Sequence, residues 1–585
     1  MAPAMFYASW SKMFDANAKI PSGILRGNVN QFGDFDECLE VSSAKYCLIE
    51  VDLSNLWRKL EENEIENLVH SQYIIKATYD DPKHRVPNYS MIKWGVCIPK
   101  LCNISGISKV VSEKLDLKIR AEEDFCQSGD NDGSISKNTM ISFGALIFLT
   151  GLASAFKLIG VGHCSKLLGC FEIQSNWIKF NDAKKDRNES LDGIRALSAL
   201  ALLMSHKAMV QLFGPYVDGY KVAEHFGQSW SILGRTAVLH TDTFILLSGF
   251  LTAKSMVRNY AANQTLGFRR MCVDRMFRIL PSLIVTIIFC TEILPNLSSG
   301  PYKPMLVGHH ANLCRKFWWR NVLFINNLYP FEEMCLTHTH QIAIDMQLFV
   351  VSPIIVYFLL KRRIFGYILG FSIILASSIL KYLTIAEREL SYIVYFGTSV
   401  SQLFDTANYS YIRATHRVGI YAMGIFAAFT IRDFNKFTVF MKRNPSLYVI
   451  FGMGSGLWVM LRHHRMGLSA YAYDAKEAAD FGAIGSFLWA CSVSWTIHAS
   501  ENDYGGWFPK LLSWKHFAHF TKISYAFYLV QFPLLFHSVA STKHPIPFDS
   551  NFLELGETCR MFLASILLTL LVEIPLRNVR KLNCQ

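Results

Sequence analysis

SLDGIRALSALALLMSHK, residues 190–207, begins with a charged pair, Asp192 and Arg195, continues through apolar and small residues, and ends beside a histidine, His206. Arg195 and His206 are eleven residues apart, which is about 16 Å along an α-helix and about half the hydrocarbon thickness of a bilayer. A polar side chain inside an apolar helix is costly unless it has a partner or a water-filled cavity. We therefore interpret this segment as a membrane helix with functional groups at both ends.

The composition of the 585-residue chain also favours a membrane protein. Hydrophobic residues make up 51% of the sequence and charged residues only 18%, whereas soluble proteins have about 25% charged residues. The formal net charge of +12 lies in short basic runs between apolar stretches, as the positive-inside rule expects for cytoplasmic loops. We expect membrane lipids as partners and no nucleic acid.

Recurring apolar stretches predict a mainly α fold, a polytopic transmembrane helix bundle of about eleven spans. The predicted spans are 139–161, 191–211, 236–256, 279–295, 342–360, 364–383, 417–432, 446–461, 480–498, 522–540 and 558–577. A basic connection after the first span is typical of the cytoplasm. This places the N-terminus on the outer side, lumenal or extracellular, and the C-terminus in the cytoplasm. The sequence leaves open whether the membrane is the plasma membrane or an endomembrane.

The region before the first span has the features of an oxidised, outer domain. Five cysteines fall there, Cys38, Cys47, Cys97, Cys102 and Cys126, together with glycosylation sequons at Asn88 and Asn103. Such a cluster is typical of disulfide-bonded domains outside the cytoplasm. The pairing stays open, and five is an odd number. The predicted domains are a cysteine-rich domain at 1–138, the first span at 139–162, a basic linker at 163–190 and a membrane domain at 191–585.

Polar residues near the outer ends of two spans predict an acceptor site. The third predicted span carries His240 and Asp242, and the topology places Asp242 at the same depth as His206. A carboxylate beside an imidazole orients the ring and stabilises its protonated form, which a general base requires. The alternative is a buried histidine–aspartate pair that only serves helix packing.

Basic residues at the opposite membrane surface predict a donor site. Arg275 and Arg278 are three residues apart and share a helix face, and Asp192 and Arg195 lie at the same surface. Such a cluster can hold the phosphates of a nucleotide-bearing donor. The alternative is ordinary positive-inside anchoring of the helices.

Further polar residues lie in or beside the later spans. Asp345 and Gln347 sit in an apolar run and are expected to face the bundle interior, while Arg413 at the outer surface either binds an acceptor or faces water. His338 and His340 are metal-ligand types, but their spacing matches no zinc pattern. We therefore predict no metal site.

Taken together, short motifs in a shared order resemble the membrane acyltransferase-3 family and its animal branch, nose resistant to fluoxetine. They are AKIPSGILRGN (18–28), GDFDECL (33–39), WGVCIPKLC (94–102), SLDGIRALSAL (190–200), DTFILLSGFL (242–251), RMFRILP (275–281), IDMQLF (344–349) and EIPL (573–576). The resemblance implies an acyltransferase-like core of ten spans in residues 191–585. It also implies transfer of an acyl group from a cytoplasmic thioester, typically acyl-CoA, to a hydroxyl-bearing acceptor.

Carried over motif by motif, the resemblance implies that His206 is the catalytic base with Asp242 as its partner. It assigns Arg195, Arg275 and Arg278 to the donor side. The chain has Thr339-His340-Gln341 where the family usually has Thr-Trp-Tyr, close to the expected acceptor site. Two other functions on the same scaffold therefore stay open, namely a transporter of lipids or small hydrophobes and a receptor-like protein without catalysis.

Overall fold

The N-terminal domain is a small β-sheet with short helices around it. The computed structural model describes residues 2–19, 22–52, 74–76, 91–129, 137–158, 166–182, 189–433, 435–502, 504, 506–549 and 554–582. The strands are β1 (Asn30–Gln31), β2 (Ala44–Asp52), β3 (Ile75–Lys76), β4 (Met91–Pro99), β5 (Lys118–Arg120), β6 (Cys126–Gln127) and β7 (Thr398–Ser399). The main sheet has the order β1-β4-β2-β5, with β6 also paired to β2, and β3 pairs with β7 of the membrane domain.

Antiparallel pairing of β2 with β4 forms the centre of this sheet. Both strands are rich in β-branched and aromatic residues, which pack well on a pleated surface, and Tyr46 lies opposite Cys97. Gly95 permits the close approach of a neighbouring segment, because a Cβ there would lie 2.1 Å from the carbonyl oxygen of Phe32. The sequence of β4 therefore specifies both its strand geometry and this contact.

Two disulfide bonds close the domain. Cys38 pairs with Cys97 and Cys47 pairs with Cys126, which leaves Cys102 as a free thiol. These bonds confirm the prediction of a disulfide-bonded N-terminal domain. The sequence left open whether the fifth cysteine is free or pairs elsewhere, and in the structure it is free. The sequon at Asn88 lies outside the described residues.

Helices make up most of the remaining chain. In order they are α1 (Ala2–Ala16), α2 (Phe35–Glu40), α3 (Ile104–Leu115), α4 (Lys137–Leu158), α5 (Ile173–Asn181), α6 (Glu189–Gln211), α7 (Gly219–Phe226), α8 (Ile232–Arg235), α9 (Ala237–Asn263), α10 (Phe268–Ile288), α11 (Leu294–Leu297), α12 (His309–Val322), α13 (His340–Lys361), α14 (Arg363–Glu387), α15 (Val400–Thr406), α16 (Val418–Asp433), α17 (Asn435–Arg443), α18 (Pro445–Leu447), α19 (Gly454–Arg462), α20 (Ala475–Ala479), α21 (Ser486–Glu501), α22 (Trp507–Leu512), α23 (Lys515–Ala540), α24 (Leu555–Leu568) and α25 (Ile574–Leu582). Single π-helical turns join some of them, such as Phe289–Ile293 between α10 and α11.

Six helical stretches in the described part of the chain are long and apolar enough to cross a membrane. They are Ser229–Asn263, Phe268–Leu297, Thr337–Lys361, Arg363–Glu387, Lys515–Ala540 and Leu555–Leu582. The chain is therefore a multi-pass membrane protein. Each of the eleven predicted spans coincides with a helical stretch, but several are shorter or more polar than these six. The number of crossings stays a prediction.

The bundle has two distinguishable ends. The N-terminal domain contacts one of them, because Asn30 accepts a hydrogen bond from Tyr302 and Asp36 accepts one of 2.7 Å from Lys543. At the other end, Lys522 donates to the carbonyl of Asp182. We call these the outer and inner ends. Residues 163–165 and 183–188 of the predicted basic linker lie outside the described residues.

Candidate active site

Helices α6 and α23 pack side by side in the same direction and carry polar pairs at both ends. Near the inner end, the Thr521 hydroxyl donates to Oδ1 of Asp192 over 3.1 Å. Near the outer end, Nδ1 of His206 lies 2.7 Å from Oε1 of Gln531. The structure therefore supports the interpretation that this helix has polar groups at both ends, and it supplies a partner for each.

The Gln531 contact selects the tautomer of the His206 ring, that is, which ring nitrogen carries the proton. An amide oxygen only accepts hydrogen bonds, so Nδ1 must carry the proton and donate it to Oε1. In the neutral ring, Nε2 then keeps its lone pair. His206 is half-buried, and its oriented ring can take a proton from a hydroxyl placed near Nε2.

His338 also lies at this site, although its residue type had suggested only a metal ligand. Its ring stacks on Phe532 at 5.1 Å between centroids, and Phe532 in turn lies 4.4 Å from the ring of His206. His338 sits two residues before α13, where the chain enters the bundle from the outer end. The sequence shows a histidine at a helix entrance. It does not show that this histidine lies close to His206, which is 132 residues earlier in the chain.

The expected pairing of His206 with Asp242 is corrected by the structure. Asp242 forms an ion pair with Arg417, and both side chains are fully buried. Arg417 also lies 5.0 Å from the ring of Tyr411, and Lys381 is close enough to attract the same carboxylate. Because two cations already surround Asp242, its charge is neutralised inside the bundle. A buried carboxylate takes such a partner because an isolated charge there is far more costly.

His240, predicted beside Asp242 as a substrate-binding residue, packs away from His206. Its side chain is buried, and its ring meets that of Trp489 edge to face at 6.0 Å. His240 and Asp242 therefore each contact a residue outside α9 rather than each other.

Residues predicted for the donor site surround the first turns of α23. Arg195 lies 3.9 Å from Asp192, and Arg278 is exposed and has Glu573 and Tyr525 as electrostatic neighbours. The Tyr525 hydroxyl donates to the backbone next to Arg278, at Ile279, over 2.9 Å. Helix α23 thus contacts both the residue paired with Arg195 and the residue next to Arg278.

Arg275 is an electrostatic neighbour of Arg278, but it already has a carboxylate partner that the predicted donor cluster does not include. It forms an ion pair with Asp345, predicted for the acceptor side, and also donates to Ser248 over 3.0 Å. Arg275 lies about two turns into α10 and Asp345 almost two turns into α13. Since these helices start from opposite ends, their side chains meet in the interior, where each neutralises the other.

The remaining predicted residues have local partners. Gln347 exchanges hydrogen bonds with Asn327 and donates to the carbonyl of Phe324 over 2.9 Å. Arg413 donates to the carbonyl of Asn408 over 2.7 Å. Within the described ranges, no three histidine, cysteine or acidic side chains are placed to hold a metal ion.

Two family models match the chain in sequence. Residues 7–111 match the N-terminal domain of nose resistant-to-fluoxetine proteins, and residues 188–574 match an acyltransferase domain. "Nose resistant to fluoxetine protein 6" of Caenorhabditis elegans is 23% identical over 92% of this chain and 73% of its own length.

Two more distant relatives match the chain over shorter lengths. A Staphylococcus aureus protein named "Putative O-acetyltransferase" is 23% identical over 59% of this chain, which spans half of that relative's length. The "Regulator of hypoxia-inducible factor 1" of Caenorhabditis elegans is 22% identical over 38% of this chain and 45% of its own length. No solved structure matches.

Proposed function

The chain belongs to the acyltransferase family whose model matches residues 188–574 and carries the N-terminal domain of nose resistant-to-fluoxetine proteins, and from this premise we propose that it transfers acyl groups across the membrane. The donor is a cytoplasmic acyl-CoA-type thioester, and the acceptor is a hydroxyl-bearing molecule at the outer end. One observation carries the proposal. A single helix presents an oriented histidine, His206, near its outer end and the Asp192–Arg195 pair near its inner end.

His206 supplies the base for the reaction. Its Nε2 takes the proton of the acceptor hydroxyl while the hydroxyl oxygen attacks the thioester carbonyl. The new C–O bond forms, the C–S bond breaks, and the same nitrogen returns the proton to the leaving thiolate. Gln531 holds the ring in the required tautomer, as the third group of a catalytic triad does.

Arg195 and Arg278 supply the contacts for the donor's phosphates. Guanidinium groups bind phosphate through two parallel hydrogen bonds, and both arginines lie near the inner end. The thioester end of an extended donor must then reach through the bundle, about 16 Å from Arg195 to His206 along α6. The acyl group thus arrives at the outer end and the nucleotide stays at the inner one.

The test measures acyl transfer by purified protein in liposomes that are supplied with labelled acyl-CoA. We expect label on an acceptor with the wild-type chain, and a loss of at least about 100-fold with His206→Ala, since general bases contribute factors of that order. The matched control is His464→Ala, which removes an exposed histidine outside the site.

Two results would contradict the proposal. Equal transfer by His206→Ala and the wild type would exclude His206 as the base. Net movement of an unmodified lipid across the liposome membrane, without consumption of acyl-CoA, would instead indicate a transporter.

A further inference from the structure

A small pocket opens beside the His206 site at the outer end of the bundle. Its empty space is about 350 Å³ when the open mouth is included, and its interior has room for about one water-sized group. Phe532 forms one wall and lies between the pocket and His206, since its ring is 4.4 Å from the histidine ring. A small movement of this one ring would join the pocket to the base.

Most of the pocket wall is apolar. Leu294, Leu306, Val307, Leu336 and Phe536 line it. A wall of this kind favours hydrocarbon and disfavours sugars or other polyhydroxylated molecules, because each unpaired hydroxyl would lose its hydrogen bonds to water on entry.

The polar side chains at the pocket lie where one hydroxyl could meet them. His338 is 95% buried and lines the pocket. The backbone of Leu529 is close enough to interact with its ring, yet within the described part of the chain neither ring nitrogen forms a hydrogen bond of ordinary geometry. A buried group with unused hydrogen-bonding capacity stabilises a ligand that satisfies it.

We propose that this pocket binds the hydroxyl end of the acceptor, and that the acceptor is a lipid alcohol with one hydroxyl. This inference rests on the proposed function. The hydroxyl enters the pocket and is bound by His338, the hydrocarbon chain extends through the apolar mouth, and Phe532 turns aside so that the hydroxyl proton reaches Nε2 of His206. His338 is thus a substrate-binding residue for the transfer reaction.

Both the acceptor and the acyl group of the donor reach the outer end, and the hydrogen-bonding capacity of His338 favours the acceptor. A thioester carbonyl only accepts a hydrogen bond, whereas an alcohol both donates and accepts one. The alcohol can therefore meet either nitrogen of His338.

The N-terminal domain braces the pocket wall. Leu306 belongs to the same apolar cluster as Phe32 and Phe35 of that domain, and Tyr302 is hydrogen-bonded to Asn30. The disulfide-bonded domain therefore packs behind the pocket wall, although none of its described residues lines the pocket.

The experiment uses the full-length protein in detergent and a medium-chain alcohol that carries a photoreactive diazirine on its chain. After irradiation, mass spectrometry identifies the labelled peptides. We expect label on the segments around Leu306 and Phe532, with competition by the unlabelled alcohol at concentrations at least tenfold lower than by the alkane of equal length.

Three variants sharpen the result. Leu306→Trp fills the pocket and should remove the label, while Leu297→Trp, on a nearby exposed leucine, should not. His338→Ala should weaken competition by the alcohol about tenfold and leave competition by the alkane unchanged. Size-exclusion profiles show whether each variant is folded. The competition measured on the wild-type protein tests the inference even if a variant does not fold.

Each outcome separates this inference from the proposed function. Label that lies elsewhere, or equal competition by alcohol and alkane, would overturn the inference. Transfer to the alcohol with an unchanged KM in folded Leu306→Trp would overturn it too and leave the acyltransferase intact. Saturable label in the pocket without any acyl transfer would support the binding site and contradict the proposed function.

Discussion

Polar side chains inside the bundle occur in two arrangements, one closed and one open. In the closed arrangement, Asp242 and Arg417 neutralise each other and are fully buried. In the open arrangement, His206 is held at one nitrogen by Gln531, and His338 faces a pocket. The residue types alone do not distinguish the two, because aspartate and histidine occur both in structural and in catalytic sites.

The difference shows how to separate packing from chemistry in a membrane domain. In a closed pair each charge is neutralised by its partner, so removal of one partner leaves an uncompensated buried charge. An open group retains a lone pair or a donor that a substrate can use. Four sets of substitutions test this comparison.

Removal of one partner of the closed pair has the largest expected effect. Asp242→Ala leaves Arg417 as a buried charge without its counter-ion, and we expect a loss of about 3–5 kcal/mol in the free energy of unfolding. Thermal unfolding in detergent measures it. The double variant Asp242→Ala, Arg417→Met should recover much of that loss. An unchanged melting temperature for Asp242→Ala would show that the pair is not structural.

Loss of the Gln531 contact has the second-largest expected effect. Gln531→Leu removes the acceptor that fixes the His206 tautomer, so we expect transfer to fall about tenfold to 100-fold, the range of about 1.4–2.7 kcal/mol in activation free energy. Gln531→Glu keeps an oxygen acceptor and should retain more activity than Gln531→Leu. Equal activities of the two variants would contradict the orienting role.

The two arginines of the RMFR motif should behave differently from each other. Arg278→Ala should raise the KM for acyl-CoA about tenfold, about the energy of one hydrogen bond to a charged group, with an unchanged melting temperature. Arg275→Ala should instead lower the melting temperature, because it leaves Asp345 unpaired. A raised KM for acyl-CoA with an unchanged melting temperature for Arg275→Ala would show that Arg275 contributes to the donor site.

The exposed ion pair of Lys45 and Glu123 in the N-terminal domain has the smallest expected effect on stability. A hydrogen bond from Lys45 and another from the backbone of Ile104 hold the pKa of Glu123 below its usual range. The lowered pKa means that the pair stabilises the domain above the pKa of the unfolded state, and that this contribution disappears as the pH falls through the folded-state pKa.

Because Glu123 is 45% exposed, we expect its ion pair with Lys45 to contribute about 0.2–1 kcal/mol to the free energy of unfolding. The measurement is acid unfolding of the full chain compared with Glu123→Gln, which should show a slightly shallower loss of stability with falling pH. A loss as large as that of Asp242→Ala would erase the distinction between exposed and buried pairs.

The sequence predicted the elements of the site but not its contacts. His206 and Arg195 were identified on one helix from their spacing, and the oxidised cysteines from their position before the first span. His338 was passed over because its importance depends on Phe532 and His206, which come from α23 and α6. Asp242 was assigned to His206 because both lie at one depth, but depth does not specify the direction in which a side chain points.

By itself, the sequence determined that this chain is a multi-pass membrane acyltransferase-family protein with a disulfide-bonded N-terminal domain. Hydropathy and short motifs are local properties, so they can be read without knowing the neighbours. Only the tertiary structure decided which polar groups meet, since the partners of Asp242, Arg275 and His206 lie 175, 70 and 325 residues away. Helix rotation and packing bring them together, and no single helix encodes the result.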